Sequence, residues 1–139
     1  MQPSVDPKPA PHSGVAAAIF NQTDVRASMV PPTQVLSNGR YTVVLTAAGT
    51  GYSAIDGLAI TRWIPDRTHD ALGAFVYVRD EEDHKSWSVG LAPMVTEPVG
   101  YQARFDSGCA ELTRLDAEIE TRVSVCVAPH RNVELRRIT

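Results

Sequence analysis

Residues 119–127 alternate between two kinds of side chain, and this period of two is the clearest structural signal in the chain. One face of the stretch carries Ile119, Thr121, Val123, Val125 and Val127. The other face carries Glu120, Arg122 and Ser124. Because successive side chains of a β-strand point to opposite faces, the pattern predicts a strand with one buried face. No long window repeats every 3.6 residues, so we predict an all-β body.

Other short runs rich in β-branched and aromatic residues predict further antiparallel strands joined by hairpins. The predicted strands cover residues 41–47, 58–63, 73–79, 86–88, 101–105, 110–115, 119–127 and 133–138. Turn signals separate them, such as Ser37-Asn38-Gly39, because Asn and Gly tolerate positive φ. The last predicted strand offers unpaired backbone groups either to this chain or to a partner chain.

Prolines divide the chain into two parts. Of the 10 prolines, 6 lie within the first 32 residues. Proline has no amide donor and a fixed φ, so this part joins a sheet ladder poorly. We therefore predict a flexible, proline-rich leader or linker over residues 1–33 and a β-sandwich domain over residues 34–139. Within the leader, residues 15–20 are predicted to form a short helix or to dock on the body.

Composition narrows the class of protein. The chain has 139 residues, which suits one domain, and its net charge of -3 argues against a nucleic-acid-binding surface. It contains neither an apolar run long enough for a bilayer nor the layout of a secretory signal, so we expect a cytoplasmic segment without membrane contact. Cys109 and Cys126 are predicted to be free thiols, with a disulfide as the alternative if their strands are neighbours.

The segment Ala47-Ala48-Gly49-Thr50-Gly51-Tyr52-Ser53 raises the question of whether its glycines cradle a phosphate. A P-loop needs four residues between its glycines and then Lys with Ser or Thr, and a dinucleotide fingerprint needs a helix after it. Neither pattern is present. The glycines are therefore predicted to permit positive φ or a bulge at a strand end. Tyr52 then either packs on the core or stands at the rim of a groove.

The two tryptophans have two interpretations each. Trp63 and Trp87 are either core anchors or indole faces that stack on a sugar ring. Arg62 and Trp63 point to opposite faces of a regular strand, so a flat site that uses both needs a bulge.

The remaining polar segments favour structural roles. Residues 66–70 are predicted to be a polar loop rather than a metal site, and residues 80–85 a solvated turn. No nucleophile lies in a motif such as Gly-x-Ser-x-Gly, and no cofactor is predicted.

An ordered set of short motifs from Val35 onward resembles a known family. The motifs cover residues 35–41, 45–53, 60–63, 73–80, 87–88 and 111–121. In order and spacing they resemble the start of the β-sandwich that precedes the catalytic barrel in glycoside hydrolase family 94, formerly glycosyltransferase family 36. Within that family the pattern is most similar to the module of bacterial cyclic β-1,2-glucan synthases, and it covers residues 34–139.

The resemblance implies a partial antiparallel sandwich of the galactose-mutarotase-like, or super-sandwich, type. Members of the family carry their general-acid Asp and phosphate site on an (α/α)6 barrel, which we expect to be absent here, so no catalytic residue carries over. We expect a non-catalytic accessory module of glucan metabolism that binds an oligosaccharide or β-glucan, in or derived from an inner-membrane protein. The expected sugar-facing residues are Tyr52, Ser53, Arg62, Trp63 and Trp87. The alternative is a structural sheet fragment that forms a homodimer through open strand edges and takes no ligand.

Overall fold

The computed structural model describes residues 16–62 and 72–139. In chain order its elements are β1 (Ala18–Asn21), α1 (Gln22–Ala27), β2 (Thr33–Ser37), β3 (Tyr41–Thr46), β4 (Gly51–Ile55), β5 (Leu58–Ala59), β6 (Tyr77–Arg79), β7 (Ser86–Ser88), β8 (Gly100–Phe105), β9 (Cys109–Asp116), β10 (Ile119–Val127) and β11 (Glu134–Ile138). All strand pairings in this part of the chain are antiparallel. The predicted all-β fold is therefore confirmed.

Two larger sheets enclose the hydrophobic core. One sheet has the order β1-β8-β9-β10-β11 and the other β2-β3-β4-β5, while β6 and β7 form a separate hairpin. Both larger sheets contribute to one buried cluster, which includes Val43, Leu45, Phe105, Leu112 and Val125. Phe20 of β1 packs edge-on against Phe105 of β8, with ring centroids 5.6 Å apart. The core thus lies between the inward faces of the two sheets.

The alternation predicted for β10 is present in the middle of that strand, and β8 alternates in the same way. In β10, Thr121, Val123 and Val125 are 5%, 3% and 0% exposed, so the middle of the predicted inward face is buried. At the two ends of the strand Ile119 is 38% exposed and Val127 is half-buried. In β8, Tyr101, Ala103 and Phe105 are buried, and the residues between them are exposed. These two strands therefore pack as the period of two predicts.

Part of the predicted leader belongs to a sheet. β1 pairs with β8, with Ala18 opposite Phe105 and Asn21 opposite Gln102. No proline lies between positions 12 and 30, so the β1 amides are available to the ladder. Residues 1–15 lie outside the described residues, and the division at residues 33 and 34 stays a prediction.

Cys109 and Cys126 form a disulfide, so the prediction of free thiols was wrong. The two residues lie directly opposite each other in the β9–β10 ladder, with a Cα–Cα distance of 4.6 Å. That separation lies in the range that disulfides span. The sequence shows the spacing of the cysteines but not the strand register that makes them neighbours.

Residues 16–62 and 72–139 contain no helix that could cross a membrane. The one helix there, α1, has 6 residues, and no helix in this part of the chain is long and apolar enough to cross a bilayer.

Candidate functional site

The glycine-rich turn between β3 and β4 packs against the loop that follows β7. Gly49 has a φ of +92°, and a Cβ added there would lie 3.0 Å from the Cα of Gly90. The amide of Ala92 donates to the carbonyl of Ala48 at 3.0 Å. Strand β4 follows the turn directly. The glycines therefore provide positive φ and close backbone packing, as the sequence predicts.

The expected sugar-facing residues do not share one cleft among the described residues. Tyr52 is half-buried and Arg62 is exposed, whereas Ser53 is buried. Trp87 is 5% exposed on β7, and Trp63 lies outside the described residues. Of the five, Trp87 is among the residues that line a surface cavity in this part of the chain. Sugar-facing roles for all five residues stay predictions.

This cavity, called the Trp87 cavity below, has a volume of about 340 Å³. Four acidic residues line it: Asp80, Asp83, Glu97 and Asp116. Lys85, Thr96 and Trp87 are among its other lining residues. The volume falls within the range of small-molecule sites, and the lining combines an aromatic ring with hydrogen-bonding groups.

The indole nitrogen of Trp87 is a buried donor without an acceptor. Its Nε1 atom has no hydrogen-bond partner among the described residues. A buried donor left unpaired costs about 1–3 kcal/mol, so native proteins rarely keep one without a reason.

Arg114 of β9 fixes the inner wall of the Trp87 cavity. Its side chain is completely buried, and its Nε and Nη2 atoms donate to the two carboxylate oxygens of Asp116 at 2.6 and 2.9 Å. Nη2 also donates to the carbonyl and hydroxyl of Thr96 at 3.0 and 2.8 Å. Nη1 donates to the Gly90 carbonyl at 2.9 Å. One buried guanidinium thus positions two cavity-lining residues and the loop that packs on the glycine turn.

Sequence reasoning missed Arg114. The one signal for it in the sequence is its spacing: Arg114 stands two residues after Leu112 and four after Ala110, on the inward face of β9. A charge in phase with buried apolar residues indicates a buried ion pair, because an unpaired buried charge is strongly unfavourable.

Two of the carboxylates at the Trp87 cavity, those of Asp83 and Glu97, are held in ion pairs. Lys85 lies 2.5 Å from Asp83, and its hydrogen bond lowers the pKa of that carboxyl. Arg26 and Gln22 of α1 contact Glu97 at 2.5 and 2.7 Å, and the bond from Arg26 lowers the pKa of Glu97. The acidic turn predicted to be solvated is largely exposed, but it also lines this cavity.

Ser53 belongs to a polar cluster between the sheets. Its hydroxyl donates to Oε2 of Glu134 in β11, and the Tyr41 hydroxyl donates to the same oxygen at 3.3 Å. Arg136 donates from Nε to Oε1 of Glu134 at 2.8 Å. Burial alone would raise the pKa of Glu134, but the bonds from Ser53 and Arg136 and the charge of Arg136 outweigh burial and lower it. The cluster therefore joins the two sheets through an ionised carboxylate.

We expect this cluster to make the stability of the fold depend on pH in the acidic range. The folded-state pKa of Glu134 lies below its ordinary value of 4.5. The contribution of Glu134 to the free energy of unfolding is therefore fully present above its unfolded-state pKa. This contribution is lost as the pH falls through its folded-state pKa. Urea unfolding at pH values from about 6 to about 3 should show the unmodified chain losing more stability than Glu134→Gln. Glu120→Gln, at an exposed position, is the matched control and should follow the unmodified chain. If Glu134→Gln loses as much stability as the unmodified chain over this pH range, the expectation is wrong.

Comparisons with known proteins give two findings. The family model described as glycosyl hydrolase 94, supersandwich domain, matches residues 17–139. The cyclic beta-(1,2)-glucan synthase NdvB of Rhizobium meliloti (strain 1021) is 35% identical over 106 residues. That match covers 76% of this chain and 4% of the relative, so the chain corresponds to a small part of that protein.

Proposed function

The chain belongs to the glycosyl hydrolase 94 family through its supersandwich domain, and on that premise we propose that it is a non-catalytic accessory module that binds β-glucan. The Trp87 cavity is the observation that carries the proposal. The name of the similar synthase supports a β-1,2-linked glucan as the ligand. The proposal concerns this segment and assigns it no reaction.

The chemistry of the Trp87 cavity suits a sugar. Each sugar hydroxyl both donates and accepts hydrogen bonds, and the cavity offers both kinds of group. The carboxylates accept, while the Lys85 ammonium donates. An indole also presents apolar surface to the C–H groups of a sugar ring, which is why tryptophan suits ligands that are part polar and part apolar.

Tryptophan fluorescence can test the proposal residue by residue because the chain has two tryptophans. In Trp63→Phe the remaining indole is Trp87, and in Trp87→Phe it is Trp63. We expect millimolar β-1,2-linked gluco-oligosaccharide to change the emission of Trp63→Phe, and Trp87→Phe to bind it at least about tenfold more weakly by calorimetry.

Two outcomes would overturn the proposal. One is the absence of a response in Trp63→Phe together with no heat of binding in the unmodified chain. The other is binding to Trp87→Phe at full affinity, which would move the site away from the Trp87 cavity. Circular dichroism of both variants verifies that each is folded.

A second candidate role is structural, because β11 lies at the edge of its sheet. Leu135 and Ile138 on this strand are 59% and 52% exposed. An exposed edge with apolar side chains can pair with a second copy of the chain. Light scattering would detect such a homodimer, and a monomer at high concentration would exclude it.

A further inference from the structure

We propose that the Trp87 cavity selects neutral sugar units and rejects the same sugars when they carry a phosphate group. This inference rests on the proposed function, since it defines the class of glucan that the same site accepts. It depends on how the charges around the cavity are already paired.

The cations near the Trp87 cavity are already bound to carboxylates. Lys85 lies 2.5 Å from Asp83, and Arg26 lies 2.5 Å from Glu97. Arg114, behind the wall, is held by both oxygens of Asp116. Recognition of a phosphate usually depends on Arg, Lys or a group of free backbone amides. A phosphate here would have to compete with a carboxylate for each of these cations.

In the part of the chain that the structure describes, Asp80 is the one acidic residue of the Trp87 cavity without a cationic partner, so the cavity has one more carboxylate than paired cations. Its Oδ1 atom accepts from the Glu82 amide at 2.8 Å, and no cation lies within ion-pair distance of it among the described residues. A bound metal ion could neutralise this excess negative charge. In this part of the chain, however, no group of three or more His, Cys, Asp or Glu residues could hold one. A phosphate group carries between one and two negative charges at neutral pH, so it meets repulsion here.

The aromatic residue at the Trp87 cavity is itself neutral. The Trp87 indole brings apolar surface and no positive charge to the lining. The arrangement therefore favours a ligand with many hydroxyls and no charge. Such a site would hold a neutral glucan chain while phosphorylated sugars stay in solution.

The experiment compares a β-1,2-linked gluco-oligosaccharide with the same oligosaccharide carrying a phosphate monoester, each titrated into the full chain by calorimetry. We expect the phosphorylated form to bind at least about tenfold more weakly at low salt, and the ratio to shrink as the salt concentration rises. Asp80→Asn keeps the Oδ1 acceptor and removes the charge, so the ratio should shrink in this variant. Asp56→Asn removes a carboxylate that pairs with Arg40 and does not line the cavity, so it should keep the ratio.

The outcomes separate this inference from the proposed function. Binding of neither oligosaccharide overturns the proposed function and this inference with it. Equal or tighter binding of the phosphorylated form leaves the proposed function standing and overturns the charge selection. An unchanged ratio in Asp80→Asn also overturns it, since Asp80 is the carboxylate in excess.

Discussion

Replacing Arg114 with methionine is expected to lower the free energy of unfolding by about 3–5 kcal/mol. The Arg114 side chain has no exposed surface, and all its hydrogen bonds go to groups inside the protein. Methionine has a similar length but no donor. The substitution would therefore leave the Asp116 carboxylate, which is 15% exposed, without its ion partner. It would also remove one of the two donors to the Gly90 carbonyl, which would keep only the Ser88 hydroxyl.

Denaturant unfolding of Arg114→Met measures this effect, and Arg122→Met is its matched control. Arg122 lies on β10 with 48% of its side chain exposed, 3.4 Å from Glu120. Exposed ion pairs contribute little, so the control should change stability by at most about 1 kcal/mol. Arg114→Lys should also destabilise the chain, because an ammonium cannot contact both oxygens of Asp116 and reach Thr96. Equal losses in Arg114→Met and Arg122→Met would contradict the structural role.

The sequence predicts those parts of the fold in which a single strand alternates between buried and exposed positions. The inward face of β10 is buried at Thr121, Val123 and Val125, and β8 follows the same rule. In β8 and in the middle of β10 the inward positions alternate with more exposed ones according to parity, so no knowledge of the neighbouring strand is needed. This local rule accounts for the correct fold class.

Features that depend on strand register or on distant segments were not predictable in this way. The disulfide forms because the β9–β10 register places Cys109 opposite Cys126. Arg114 takes its partners from Gly90 and Thr96, which belong to a separate loop. β1 was assigned to the leader because proline content describes a whole segment and not the four residues that pair with β8.

In the candidate site, too, some features follow from a single strand and others depend on segments that are distant in the sequence. Tyr52 and Ser53 are adjacent on β4, so their side chains point to opposite faces and cannot both stand at one rim of a regular strand. Ser53 faces the Glu134 cluster between the sheets. The Trp87 cavity brings together the β6–β7 turn, the segment around Thr96 and the end of β9, a combination that no single motif contains.

Gly51→Ala is expected to destabilise the chain by at least about 4 kcal/mol, which is exceptional for one methyl group. A Cβ built on Gly51 would lie 1.9 Å from the carbonyl oxygen of Val44 and 2.8 Å from its carbonyl carbon. Both are backbone atoms of β3, the strand that pairs with β4 at this point. No side-chain rotation can relieve the clash, so the β3–β4 ladder must open locally. The φ of +147° at Gly51 adds conformational strain for any residue with a side chain.

Gly57→Ala separates the steric part of this effect from the conformational part. Gly57 has a φ of +83°, but a Cβ there would meet no atom within 4 Å. Its substitution should therefore cost only the left-handed penalty, about 1–2 kcal/mol. Urea unfolding of the two variants gives the difference directly, and failure of Gly51→Ala to fold, seen by circular dichroism, would agree with a large cost. Equal costs for the two variants would mean that β3 and β4 separate easily beside Gly51, and that the close approach of the two strands is not why glycine stands there.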